Sequence, residues 1–193
     1  MTNGNAIAIV VVILAWAAFA YGLIQLRRAS TATPTRERTD LWSWVGIILQ
    51  GIAIGVAFTG RTQLSQSWID ERQIVTAALP VVLALGGFLL FDAAGRELGR
   101  NWSLVARVRE DHVLVTTGPF ALVRNPIYLA MMLMMIAAGF ALGHLVNLLV
   151  AVPLFILATA LRVAREERLL REQFGAAFDD YAARVPRLIP WVW

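Results

Sequence analysis

The chain has no cysteine and no lysine, and only 16% of its 193 residues are charged. Without cysteine it holds no disulfide, no thiol nucleophile and no thiolate metal site. The sparse charge goes with a hydrophobic fraction of 59%, against about 25% charged and 45–50% apolar in ordinary soluble domains. Much of the surface must therefore face something other than water, and lipid is the expected neighbour. Familiar catalytic signatures are missing too. There is no HExxH, GxSxG, GxGxxG or P-loop pattern, which leaves no sequence support for zinc proteolysis, serine acyl transfer, dinucleotide binding or phosphate cradling.

What charge there is carries a bias. The net charge of +4 arises from arginine alone. These arginines form no aromatic-interleaved patch of the kind nucleic-acid binding uses, and in so apolar a chain they read instead as a topology signal. The first apolar run, Ala6 to Leu26, is longer than a signal-peptide core. The uncharged MTNGN precedes it and Arg27-Arg28 follows it, so the charge order is wrong for a cleaved leader; a membrane span is expected there.

A hydrocarbon core of about 30 Å takes roughly 20 apolar residues as a helix. Spans are expected at about 6–26, 42–59, 74–91, 127–142 and 145–161, with Trp42 and Trp44 in an interfacial position and Pro80 near the start of the third. The last two come from a 35-residue stretch, Ile127 to Leu161, with no acidic or basic residue except His144. One helix of that length would reach roughly 52 Å, so a hairpin turning near Gly143-His144 is expected, with Pro153 kinking its second arm. With five alternating spans, 15 of 17 arginines fall on one side and only Arg61 and Arg72 on the other. By the positive-inside rule the N-terminus is then outside and the C-terminus cytoplasmic, and His112 and His144 lie on opposite sides, unable to share a metal. The pairs Gly51-xxx-Gly55 and Gly139-xxx-Gly143 are expected to pack helices within the bundle. The fold class is thus all-α integral membrane, one domain over 1–193, with two cytoplasmic segments. The segment 96–126 reads as compact and irregular around a Gly118-Pro119 turn. The tail 162–193 opens as an amphipathic helix, with Val163, Leu170, Phe174, Phe178 and Tyr181 on one face and Pro186 ending it.

Polar residues gather where the hairpin begins and ends: Arg124-Asn125-Pro126-x-Tyr128 opens it and Arg162-x-x-x-Glu166-Glu167 leaves it. A hairpin returns both clusters to one face of the membrane. Spacing alone supports a plain structural reading: an i,i+4 pair between Arg162 and Glu166, a snorkelling Arg124, and Asn125 and Pro126 as helix cap and first helical residue. The spans carry almost no charge, which argues against an ion or proton pathway.

The run from His112 to Tyr128 (HVLVTTGPFALVRNPIY) and, about forty residues on, Arg162-x-x-x-Glu166-Glu167-x-x-Leu170-x-x-x-Phe174-Gly175-x-x-Phe178-x-x-Tyr181-x-x-x-Val185-Pro186 resemble the two motifs of the membrane-embedded isoprenylcysteine carboxyl methyltransferases. The resemblance covers about Asn101 to Pro190. It implies an S-adenosyl-L-methionine cofactor under the cytoplasmic segments. His112, Val113, Leu114 and Val115 would line the adenosine site, Phe120, Asn125, Pro126, Ile127 and Tyr128 would continue it, and Glu166 would face the amino group of the methionyl part. Arg162 matches the arginine that holds a substrate carboxylate, with Arg124 in support. It implies a lipophilic or prenylated methyl acceptor, a place in a bacterial or archaeal plasma membrane and a site facing the cytoplasm. Asn125 stands where the family has histidine and Phe120 where it has tyrosine. A related phospholipid or amine N-methyltransferase and a non-enzymatic small membrane protein are the alternatives.

Overall fold

The computed structural model describes residues 4–29, 41–62, 64, 71–99 and 113–190. Its helices are α1 (Ala6–Ala29), α2 (Leu41–Phe58), α3 (Glu71–Leu98), α4 (Pro126–Leu142), α5 (Leu145–Phe174) and α6 (Ala176–Arg184), with a 3-10 turn at Gly118–Ala121 before α4. Among the described residues the only β pairing is one bridge, Gly4 to Leu64. Three helices are long and apolar enough to cross a membrane, α1 over Ala6–Arg28, α3 over Ile74–Leu98 and α5, while Trp44–Phe58 and Pro126–Leu142 are shorter apolar helices. Five apolar helices thus stand where five were expected, three of them of full spanning length.

The helices alternate in direction. At one end Asn5 donates its backbone N–H to the Ala141 carbonyl (2.8 Å) and its side-chain amide to Thr76 (3.0 Å). Asn147 donates to the Val56 carbonyl nearby (3.0 Å), joining the start of α1, the end of α2, the start of α3 and the α4–α5 turn. At the other end the close of α3 meets the 3-10 turn and α2 meets the charged part of α5.

Helix α4 lies at the centre, against α1, α2, α3 and α5. Small buried residues let it sit close: Ala8 and Ala15 of α1, Ala77 and Ala84 of α3, and its own Ala130, Ala137, Ala138 and Ala141. Ala53 and Ala57 of α2 join Phe155 of α5 and Met132 and Met135 of α4 in a second cluster. Between helices in lipid, where no hydrophobic gain drives association, close packing of small residues supplies the attraction. Large apolar side chains such as Val10, Leu14, Val82 and Leu89 face outward, as a lipid solvent requires.

The hairpin turns where expected. Gly143 adopts a left-handed φ of 76° and closes α4 through bonds to the Gly139 and Phe140 carbonyls, a conformation that suits glycine. A Cβ on Gly139 would lie 2.5 Å from Leu148 Cδ2, so glycine there allows the two arms to meet. Pro80 and Pro153 sit inside continuous helices.

Four expectations are corrected. Gly51 and Gly55 have nothing within 4 Å of an added Cβ, so this pair faces out of the bundle: α2 uses Ala53 and Ala57 for its contacts instead. Helix α3 runs on to Leu98, just under one turn into the segment read as irregular, with Asp92 and Arg96 forming an i,i+4 ion pair (2.6 Å) there. The charged tail does not begin a new helix, since α5 continues unbroken from the membrane through Phe174. It then breaks before Pro186, at Gly175, whose φ of 52° and ψ of −126° no helix can hold.

A charged cluster at the arginine-rich end

The end of the bundle that carries the arginines is closed by a buried acid. Glu167, on the α5 extension, has a side chain only 7% exposed and receives two arginines. Arg124 donates Nε and Nη2 to its Oε1, each at 3.0 Å. Arg187 donates Nε to Oε1 at 3.1 Å and Nη2 to Oε2 at 2.8 Å. Arg124 also donates Nη1 to the carbonyls of Val185 (2.8 Å) and Ala182, while its backbone N–H reaches the Pro186 carbonyl (2.9 Å). One arginine thus binds the entrance of α4, the extension of α5 and the chain beyond α6. A buried carboxylate is tolerable only when paired and hydrogen-bonded in this way.

The neighbouring position faces elsewhere. Successive helical residues are turned by about 100°, so Glu166 looks toward α4 while Glu167 looks toward the tail. Tyr128 donates its hydroxyl to Glu166 Oε1 at 2.5 Å, and Arg162 Nη2 lies 3.5 Å from the same oxygen. The Arg162 guanidinium also stacks on the Tyr128 ring, 5.0 Å from its centroid, and donates Nη1 to Gln50 of α2 at 3.0 Å. Glu166 lies beyond the apolar stretch 145–161.

The structure places the expected residues as follows. Tyr128, Arg162 and Glu166 meet directly, and Arg124 lies one helix face away on Glu167. Asn125 occupies the cap position of α4, but its side chain makes no cap bond; it donates to the Arg187 carbonyl at 2.8 Å instead, correcting the expectation of a capping amide. Pro126 is the first residue of α4 and is fully buried. Phe120 is buried beneath α6, its carbonyl accepting the Tyr181 hydroxyl at 2.7 Å; burial raises that phenol to about 12. Ile127 packs against the α1–α3–α4 core, away from Glu166. Val113 is exposed and Leu114 and Val115 half-buried in an extended run. His112 lies outside the described residues.

Three participants were not picked out from the sequence. Glu167 stands in the second motif without an assigned role, and Arg187 and Gln50 stand outside the residues singled out. Only Gln50 carried a usable local signal, an amide inside an otherwise apolar run. Among the described residues no three His, Asp or Glu side chains come together to hold a metal.

A lipid-facing all-helical bundle with a charged, partly buried cluster at one end defines an integral membrane protein. The phospholipid methyltransferase family matches residues 75–177, more than half of the chain and the part that holds the cluster, and the chain belongs to that family. It is 28% identical over 158 residues to the nickel-cobalt-cadmium resistance protein NccN of Alcaligenes xylosoxydans xylosoxydans, covering 81% of this chain and 66% of that protein. It is 32% identical over 112 residues to the protein-S-isoprenylcysteine O-methyltransferase of Schizosaccharomyces pombe, covering 57% and 47%. Over 147 residues it is 28% identical to protein-S-isoprenylcysteine O-methyltransferase B of Arabidopsis thaliana, covering 75% and 70%. The chain therefore spans between about half and two thirds of the length of the first and second of these relatives. The resemblance read from the two motifs is borne out.

Proposed function

We propose that the protein is an S-adenosyl-L-methionine-dependent methyltransferase whose acceptor is lipophilic, with the carboxylate of an isoprenylcysteine-like compound first in line. The observation that carries this is the meeting of Tyr128, Arg162 and Glu166 at the boundary of a lipid-facing bundle, inside the stretch matched by the methyltransferase family.

The residues present fit the cofactor's chemistry. Hydrogen bonds within the described residues engage Oε1 of Glu166 and leave its side chain 25% exposed, which suits a carboxylate that receives an ammonium group. Asn125 and the extended run Val113–Val115 would complete the adenosine side, with Phe120, Pro126 and Ile127 as apolar backing and His112 as a further wall. When bound, the cofactor supplies a methyl group on a sulfonium, which leaves as the acceptor oxygen bonds to carbon and the C–S electron pair returns to sulfur.

The chain's own task is placement. A carboxylic acid with a pKa of about 3.5 is ionised at neutral pH, so no general base is required and none is paired with a nucleophile here. Arg162 holds the acceptor carboxylate through its planar guanidinium fork. Apolar helix walls receive the lipid tail and exclude water, and alignment of oxygen, carbon and sulfur is what the site contributes to rate. Arg124 acts through Glu167 by fixing the elements that carry Tyr128 and Glu166. By the arginine bias, the site faces the cytoplasm. The test is a methyl-transfer assay on the purified protein, with a carboxylate lipid and an amine lipid side by side. Transfer to the carboxylate alone is expected; transfer to the amine alone would replace this acceptor with the N-methylation reading.

A further inference from the structure

Helix α2 lies outside both motifs and outside the family match, yet it holds the arginine on which the proposed reaction depends. Gln50 is 2% exposed within an apolar helix that has no ionisable residue. An amide buried in such a place is costly unless both its ends are bonded, and both are. Its Nε2 donates to Thr159 Oγ1 at 2.9 Å, and its Oε1 accepts Arg162 Nη1 at 3.0 Å. The orientation follows from chemistry, since a guanidinium only donates and the amide oxygen must face it. One turn earlier, Gly46 brings bare backbone against the arginine stem: a Cβ there would lie 2.3 Å from Arg162 Cγ and 3.0 Å from Cδ.

We infer that Gly46 and Gln50 of α2 form a cradle that fixes the aim of the Arg162 guanidinium, and that Gln50 is a positioning residue for the methyl acceptor. The stem is set by Gly46, one nitrogen by Gln50, the other by Glu166, and the flat face by Tyr128. Of these, Gln50 alone opposes Glu166. Without the amide oxygen, the guanidinium can turn about its stem onto the Glu166 carboxylate, which withdraws it from the acceptor. A residue present only to join α2 to α5 needs no such oxygen; the Thr159 bond and the apolar seam beside it suffice. The inference rests on the carboxylate-clamp reading of Arg162.

The test compares Gln50→Leu, Gln50→Glu and Gly46→Ala with the unmutated protein and with Arg162→Lys. The acceptor probe is S-farnesyl-N-acetylcysteine, and S-adenosylhomocysteine reports cofactor-site integrity by calorimetry. Misaiming a holding group costs up to about a hundredfold, so Gln50→Leu is expected to lower kcat/KM for the acceptor by roughly tenfold to a hundredfold. S-adenosylhomocysteine affinity should stay within about twofold of the unmutated value. Gln50→Glu keeps the acceptor oxygen but adds a carboxylate that competes for the fork, so KM for the acceptor should rise more than kcat falls. Gly46→Ala, which displaces the stem, should lower kcat/KM as well. Near-normal kcat/KM in Gln50→Leu and Gly46→Ala, beside an impaired Arg162→Lys, overturns the inference and leaves the proposed function standing. If Gln50→Leu does not fold, Gln50→Glu and Gly46→Ala decide in the same way. An unmutated protein that transfers no methyl to the probe, or an Arg162→Lys variant of normal rate, removes the clamp reading and this inference together.

Discussion

Glu166 and Glu167 are adjacent and chemically identical, yet their surroundings give them different work. Glu166 leans on one hydroxyl and one loosely held guanidinium and keeps part of its surface open. Glu166→Ala is therefore expected to fold and to bind S-adenosylmethionine about ten- to a hundredfold more weakly, since a charge-assisted hydrogen bond contributes about 1.5–3 kcal/mol; calorimetry in detergent checks this. Glu167 is closed in by Arg124 and Arg187. Glu167→Gln removes a charge that opposes both Arg124 and Arg187, and breaking a buried pair of this kind costs on the order of 3 kcal/mol. Thermal unfolding in detergent should show a large drop for Glu167→Gln and a small one for Glu166→Ala. Arg162→Ala belongs at the same scale. On the proposed clamp role it removes the group that holds the acceptor, so methyl transfer should fall severely while cofactor affinity stays nearly intact. Arg162→Lys should recover little, because a point charge does not reproduce a planar fork.

Among the elements, the hairpin of α4 and α5 does most to bring the cluster together, and it was legible in the sequence. A charge-free stretch too long for one span must turn, and Gly143 is the residue that can turn it. The Asn125-Pro126 start was legible for the same local reason. What escaped was set by partners far away in the chain: Arg124 with Val185, 61 residues on, and Gln50 with Arg162, 112 residues on. No periodicity encodes such pairs. The repeat that made the tail look like one helix to Pro186 was real, but it ran across two helices, because apolar spacing does not register a single backbone reversal at Gly175. Nothing crowds a Cβ at Gly175, so the penalty in Gly175→Ala comes from its backbone angles alone, about 1–3 kcal/mol. That variant should unfold at lower temperature and lose the Arg171–Asp179 ion pair (2.7 Å) that spans the break, and adding 1 M salt, which screens this exposed pair, should affect the parent more than the variant.

For the molecule as a whole, the proposed topology has five crossings, and an odd number places the two ends of the chain on opposite sides of the membrane. Reporter fusions at Thr2 and Trp193 are expected in opposite compartments, with the Trp193 fusion in the cytoplasm; both on one side would remove the five-span topology. Hydropathy and the arginine bias carry this expectation, since both act through bulk properties of whole segments. The centre of the bundle was less accessible, because the alanines that let α4 contact four neighbours look, in sequence, like the alanines facing lipid.

The staple of Arg124, Glu167 and the chain around Arg187 also orders events during synthesis. Arg124 emerges from the ribosome some forty residues before Glu167, and Glu167 some twenty before Arg187 and the fully buried Leu188. A nascent chain halted between Glu167 and Arg187 has already made all five apolar helices, yet leaves an acid and an arginine half-matched at the end of the bundle. Insertion and completion are therefore separate events. The interval in which the protein is inserted but unfastened closes when Arg187 and Leu188 arrive.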